Sequence, residues 1–285
     1  MENLSIKHLS KSYKGKKVID DVSFNLSGNK IYGLFGRNGV GKSTLLNCVC
    51  DRLLIDKGNI CLGKDEIHNN DKLLHNLYLM NTDISYSGRE KVTDLYRYVD
   101  ISYKKFNYEY AHLLAKKFGI DEKQKLKNLS TGLRTATEII LAFCVNAKFI
   151  LLDEPTLGLD ASLRNVFYQE LIKTYTKQPR TFVIATHQIN EIQNLIENVM
   201  IMKDRKLLFD GSVRELQEKA IQLCGPKELV LPLVRNKKYS IQYDLGKEVA
   251  INIETSELEG KDIPNNVKVK PLDLQSVFTV LTMEE

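Results

Sequence analysis

The sequence predicts an α/β fold: a mixed sheet with an antiparallel N-terminal part, a helical segment in the middle and a small C-terminal extension. Three observations carry this expectation. A glycine-rich octapeptide at residues 36–43 stands between a short apolar run and a helical pattern. Two further apolar runs, at 148–153 and 181–186, bracket a helical stretch. Alternating patterns occupy both ends of the chain.

Taken in order, residues 4–9 alternate, Gly15 marks a turn, and residues 18–26 alternate again, the pattern of an antiparallel hairpin. Residues 30–35 form a compact apolar strand. Residues 43–54 carry apolar side chains at 45, 46, 49 and 53, the spacing of one helix face. The stretch 82–145 is helix-like and rich in polar residues. The runs 148–153 and 181–186 suit strands buried on both faces, and 161–175 between them reads as the crossover helix. Residues 213–223 read as a further amphipathic helix, broken by Gly225 and Pro226. Beyond them 239–243, 249–253 and 267–269 alternate, and 272–281 reads as a short apolar helix. The expected division is a main domain at 1–225 and a β-rich accessory piece at 226–285.

A hydrophobic share of 43% and a charged share of 27% suit a folded globular chain and exclude a disordered or collagen-like one. The longest purely apolar run, 139–145, is far short of the ~18–20 residues of a membrane-spanning helix. The first residues lack the apolar stretch of a secretory signal, so the expected compartment is the cytosol. Cys48, Cys50, Cys61, Cys144 and Cys224 are an odd set with no C-x-x-C pair, and they read as small apolar fillers. The net charge of +5 is interspersed and forms no basic run, so nucleic acid is not an expected partner.

Gly36, Arg37, Asn38, Gly39, Val40, Gly41, Lys42 and Ser43 fit G-x-x-x-x-G-K-[ST] without a mismatch, after a strand and before a helix. Glycines let the backbone wrap so that several N–H groups point at phosphate oxygens, and the helix adds its positive N-terminal dipole. Lys42 is expected at the β- and γ-phosphates, the Ser43 hydroxyl on Mg²⁺ and Thr44 at the α-phosphate. By itself this loop specifies a nucleoside triphosphatase or a kinase.

Residues 149–152 are apolar and end in Asp153 and Glu154, which places two acids at the carboxyl end of the sheet, where α/β folds bind ligands. Asp153 is expected to hold Mg²⁺, directly or through water, and Glu154 to act as general base on the attacking water. His187 ends the next apolar strand, where a neutral imidazole can donate to a phosphate or position water. His8, His68, His75 and His112 read as ordinary surface or core residues.

Together these residues resemble the ATP-binding cassette (ABC) ATPases, the engines of ABC transporters. The segment Leu129, Ser130, Thr131, Gly132, Leu133 is similar to that family's signature loop, usually L-S-G-G-Q, and precedes a helix. Residues 153–160 resemble the acidic strand end and the loop after it, and His187 matches the switch histidine. Residues 203–211 resemble the hairpin that follows. The resemblance covers roughly residues 3–216 and implies a P-loop NTPase core of ABC type. It implies Tyr13 as the aromatic stacked on adenine and Asp160 as the aspartate acting across the dimer. It further implies two cassettes closing head to tail, as a homodimer or heterodimer, around two ATP molecules. Ser130 and the Gly132 N–H then reach the γ-phosphate held by the facing chain. Motion of the pair drives a separate transmembrane permease subunit at the cytoplasmic face of the membrane.

Three positions depart from the family pattern. Thr131 replaces a signature glycine, Leu133 replaces the signature glutamine, and Asn81 stands where a glutamine usually contacts Mg²⁺ or water. The segment from Ser87 to Leu95 resembles that of bacterial exporters of antibiotics and peptides, so export of a peptide or drug-like cargo is the expected task. Cassettes of DNA repair carry long coiled coils, and this chain shows no heptads. Cassettes of translation carry two copies per chain, and here there is one. Residues 226–285 have a slight acidic excess and read as an accessory piece packed on the cassette, or as an element that steadies the dimer.

Overall fold

The computed structural model describes residues 3–81 and 88–283. In chain order, strands β1 (Leu4–Tyr13), β2 (Lys16–Leu26) and β3 (Ile31–Phe35) lead into helix α1 (Lys42–Val49). Next come β4 (Lys57–Leu62), β5 (Asp65–Glu66), α2 (Asp71–Leu74) and β6 (Leu77–Met80). Helices α3 (Val92–Tyr103), α4 (Tyr108–Phe118) and α5 (Thr131–Cys144) precede β7 (Phe149–Asp153), α6 (Ala161–Lys177) and β8 (Thr181–Thr186). The chain continues through α7 (Ile189–Ile192), β9 (Asn198–Lys203), β10 (Lys206–Ser212) and α8 (Val213–Gln217). Its last part holds β11 (Ala220–Pro226), α9 (Lys227–Leu233), β12 (Tyr239–Asp244), β13 (Glu248–Glu254), β14 (Lys268–Pro271) and α10 (Leu274–Leu281).

The central sheet has the order β10-β9-β3-β8-β7-β6. Its strands from β9 to β6 run parallel, and β10 closes one edge antiparallel to β9. Alternate residues of each central strand face two different cores. Leu34, Leu79, Leu151 and Val183 join α1 and the N-terminal antiparallel sheet β2-β1-β4-β5. Phe35, Met80, Leu152 and Ile184 join the core built by α3, α4, α5 and α6. Coverage on both faces is what makes these strands read as unbroken apolar runs. The expected mixed sheet, N-terminal antiparallel part and helical segment are thus all present.

Three expectations are corrected. The helix expected over 43–54 ends at Val49, because Asp51 takes a left-handed φ of 53° and turns the chain back. The helix expected over 213–223 stops at Gln217. The spacing of Leu216, Ala220 and Leu223 imitates a helix face, but Ala220–Pro226 is a strand hydrogen-bonded to β13 on one side and β14 on the other. That pairing satisfies the backbone on both edges and overrides the local pattern. It also puts Ala220–Pro226 inside the C-terminal sheet, order β12-β13-β11-β14, so that sheet begins before the expected boundary at 226. Helix α9, with Pro232 in its last turn, was not expected there.

The C-terminal sheet has its own small core, with Leu223, Val230, Val249 and Ile251 at its centre. Helix α10 does not belong to that core: Leu274, Val277 and Val280 are buried in the same cluster as Phe35, Ile184 and Ile201 of the central sheet. Cys48 and Cys144 fill the two main cores as expected. Among the described residues no helix is long and apolar enough to cross a membrane, and no group of three or more His, Cys, Asp or Glu side chains could hold a metal ion.

Candidate functional site

The parallel register builds the site. Phe35 pairs with Thr186, Ala185 with Asp153, and Leu152 with Met80. Four neighbouring strands therefore end within two residues of one another. The residues that follow them are Gly36, His187, Glu154 and Asn81, arranged along one edge at roughly 4.8 Å per strand. This is the carboxyl edge of the sheet, as the acid pair predicted.

The phosphate loop follows β3 and opens α1. Gly41 has φ +115°, and a Cβ on it would lie 2.8 Å from the Val18 carbonyl oxygen, so only glycine fits. Arg37, Asn38 and Gly39 are exposed at the turn, and Gly36 is buried at its root. Lys42 is 6% exposed. Its Nζ donates to the Gly36 carbonyl at 2.7 Å and lies 3.8 Å from Glu154 Oε1. Burial pulls the Lys42 ammonium below the usual lysine range, while Glu154 and Asp153 push it back up. Such a cation gains from an added anion, as a phosphate would be. Ser43 is exposed on the first turn of α1, and Thr44 is half-buried beside it.

Glu154 is the hub of the site. Its φ is +47°, a left-handed conformation that a non-glycine residue adopts at a cost and that marks functional sites. The strand ladder holds it there through Glu154 N–H donating to the Ala185 carbonyl at 2.9 Å. Its Oε1 lies 3.0 Å from His187 Nδ1, and its Oε2 accepts from the Thr186 hydroxyl at 3.1 Å. Thr186 was missed by sequence reasoning, since a threonine that closes a strand carries no signal of its own. Its oxygen also accepts the Gln188 N–H at 3.0 Å, so one side chain pins both Glu154 and the loop carrying His187. A second missed pair, Arg164 and Tyr168 on α6, grips Glu191 on α7, Tyr168 at 2.6 Å. It joins the helix behind Asp160 to the helix behind His187.

Asp153 is buried at the end of β7, and α1 packs on that strand, so Ser43 and Asp153 belong to neighbouring elements. Half-buried Asn81 ends the next strand. A hydroxyl, a carboxylate and an amide oxygen make an all-oxygen donor set, which fits Mg²⁺ and does not fit a thiophilic metal.

The signature-like residues lie apart from Lys42. Ser130 caps α5, its hydroxyl accepting the Leu133 N–H at 3.3 Å. A Cβ on Gly132 would lie 2.7 Å from the Gly158 carbonyl oxygen, so this segment packs directly on the loop that carries Asp160. Asp160 caps α6 by accepting the Leu163 N–H at 2.9 Å. Thr131 is exposed on this turn, whereas Leu133 is half-buried and packs against the core below it. Tyr13 ends β1 half exposed, paired with Lys16 and with the Lys11 ammonium 5.4 Å from its ring centre. Lys16, Lys17 and Val18 line a cavity of about 810 Å³ with Arg37, Asn38, Gly39 and Val40. The structure thus sets Glu154 against both Lys42 and His187, pairs Tyr13 with Lys16 of the cavity lining, and leaves Ser130 and Asp160 exposed with Gly132 buried against the Gly158 loop.

Comparison with known proteins agrees. The model of the ABC transporter family matches residues 19–157. The ABC transporter ATP-binding protein YtrB of Bacillus subtilis is 28% identical over 281 residues, covering 96% of each chain. The methionine import ATP-binding protein MetN of Clostridioides difficile is 28% identical over 272 residues, 90% of this chain and 84% of its own. A solved ATP-binding subunit of an ABC transporter shares the fold with a TM-score of 0.68 at 20% identity, over 75% of this chain and 91% of its own. The match to the ABC transporter family model and the likeness of nearly the whole chain to an ABC transporter ATP-binding protein support one assignment: an ATP-hydrolysing, nucleotide-binding subunit of an ABC transporter.

Proposed function

We propose that this chain is the motor of a two-cassette transporter and drives a separate transmembrane permease from the cytoplasmic face of the membrane. The observation that carries the reading is the Glu154 carboxylate, fixed between Lys42 and His187 at the carboxyl edge of the sheet. ATP enters with its phosphates on the loop from Gly36 to Thr44 and its base on Tyr13. Backbone N–H groups and the Lys42 ammonium neutralise the β- and γ-phosphates. Glu154 takes the proton of the attacking water, and His187 holds that carboxylate in line. Ser43, Asp153 and Asn81 would hold Mg²⁺, which when bound withdraws charge from the phosphate oxygens.

The exposure of Ser130 and Asp160, on adjoining loops, supports closure on a second cassette. Neither Ser130 nor Gly132 lies in the Lys42 cluster of its own chain, so their phosphate contact is made across the pair. ATP then joins the two chains, and its hydrolysis loosens them. Thr131 puts a side chain into that contact and tunes how tightly it closes.

The test is phosphate release by the chain assembled with its permease. Glu154→Gln is expected to lower turnover about 10²–10⁴-fold while ATP still binds. A parent complex that releases no phosphate, or a Glu154→Gln complex that matches it, sinks the reading. Co-purification with a permease separates transport from a repair or translation role. Resemblance of residues 87–95 to exporters supports export of a peptide or drug-like cargo, though Ser87 lies outside the described residues. Several relatives, MetN among them, are named as import subunits, so the direction is decided by cargo flux into or out of inside-out vesicles.

A further inference from the structure

We infer that α10, the last helix of the C-terminal part, is a positioning element for the nucleotide site, acting through Phe278 and Lys203. Three contacts point there. The Phe278 ring meets Phe35 edge-on, with centroids 6.5 Å apart, and Phe35 is the residue immediately before Gly36. Lys203, at the end of β9, donates from Nζ to the Leu281 and Met283 carbonyls at 3.2 and 2.9 Å, closing the C-terminal end of α10 with a cation. Helix α10 also packs on α7, which starts two residues after His187.

These contacts converge on the root of the phosphate loop. Met202, the neighbour of Lys203, lies against Gly36 and Gly41: a Cβ on Gly36 would meet the Met202 carbonyl oxygen at 3.0 Å, and one on Gly41 the Met202 Cε at 3.5 Å. Thr282 and Met283, just past the helix, line the same cavity as Arg37, Asn38, Gly39 and Val40. The other side of α10 packs on β11 and β13 of the C-terminal sheet. The helix is therefore a wedge between that sheet and the strand ends that carry the phosphate loop and the switch histidine. The C-terminal part is joined to the site through α10, whose Leu274, Val277 and Val280 are buried and whose Phe278 is half-buried, and a shift of its sheet is transmitted to the loop.

Truncation is the wrong probe, since it strips the central core of Val277 and Val280. Point variants of the full chain separate the cases. Trinitrophenyl-ATP affinity and the split of KM from kcat are measured for Phe278→Ala, Phe278→Leu, Lys203→Met and, as a control, Val230→Ala. Val230 is buried in the C-terminal core. Phe278→Ala and Lys203→Met are expected to weaken affinity about five- to tenfold and three- to fivefold and to raise KM more than they lower kcat. Phe278→Leu is expected to recover most of the loss, and Val230→Ala to lower the melting temperature without moving affinity. The inference is overturned if Lys203→Met and Phe278→Leu both bind within twofold of the parent while Phe278→Ala does no more than Val230→Ala. It rests on ATP binding at the phosphate loop. A parent chain that takes up no analogue breaks that premise, whereas a parent that binds, with variants that bind equally well, breaks this inference alone.

Discussion

The Glu154 carboxylate meets His187 Nδ1 at 3.0 Å, across two adjacent strand ends in register. The pair is tightened by Thr186, whose hydroxyl donates to the other carboxylate oxygen. In the proposed mechanism, a base held from both sides meets the attacking water in one orientation, which is where positioning contributes to rate. His187→Ala is expected to lower turnover about 10–100-fold with ATP affinity unchanged. Thr186→Val, which keeps the shape and removes the hydroxyl, is expected to give an intermediate loss. Steady-state kinetics with parallel nucleotide titration check both; a His187→Ala chain at parental turnover removes the histidine from the mechanism.

Most of this site was legible because its residues sit at strand ends, where an apolar run stops at a polar group. Phe149–Asp153 followed by Glu154, and Thr181–Thr186 followed by His187, announce both the strand and its functional end. Thr186 escaped because a threonine closing a strand is ordinary, and only the register reveals that its hydroxyl faces Glu154. The signature-like turn was readable by resemblance, but its contact with Gly158 is a long-range fact that no spacing encodes. The C-terminal part was least legible for the same reason. Ala220–Pro226 has helical spacing and becomes a strand through partners about 30 and 50 residues further along the chain.

The contact of Gly132 with Gly158 makes a second prediction. A methyl group on Gly132 would press a backbone oxygen at 2.7 Å. Backbone cannot swing aside as a side chain can, so the loop carrying Asp160 must move. Gly132→Ala is expected to cost about 1–3 kcal/mol of stability and to weaken ATP-driven pairing of the cassettes. Thermal unfolding reads the first effect and light scattering with Glu154→Gln as the trap reads the second. Parental values in both would show that the two loops are not packed as described.

Tyr13 ends β1 paired with Lys16, which lines the cavity at the phosphate loop. An aromatic that carries a base contributes about 1–3 kcal/mol, so Tyr13→Ala is expected to weaken ATP affinity by about 5- to 150-fold. Tyr13→Phe keeps the ring face and is expected to bind as the parent does. The discriminating outcome is Tyr13→Ala binding ATP normally, which would place the base elsewhere.

Glu170 is 2% exposed on α6, where it accepts the Lys117 ammonium and the Tyr110 hydroxyl at 2.8 Å and faces Lys173 at 3.7 Å. It ties α4 of the helical segment to the central domain. Burial pushes its carboxyl upward, but Lys117, Tyr110 and Lys173 outweigh burial and hold it below the ordinary value of 4.5. The folded chain therefore binds this proton less readily than the unfolded chain. The stabilisation is fully present above the unfolded value and is lost as pH falls through the folded one. Glu170→Gln leaves Lys117 facing a neutral amide and is expected to cost about 1–3 kcal/mol at neutral pH. As pH falls below the ordinary value of 4.5 and through the lower folded one, the gap between variant and parent should narrow, because the parent's carboxylate then takes up its proton. Urea midpoints measured from about pH 7 down to about pH 3 check this. Two curves that stay parallel over that range would mean that the ionised Glu170 is not what holds the helical segment to the core.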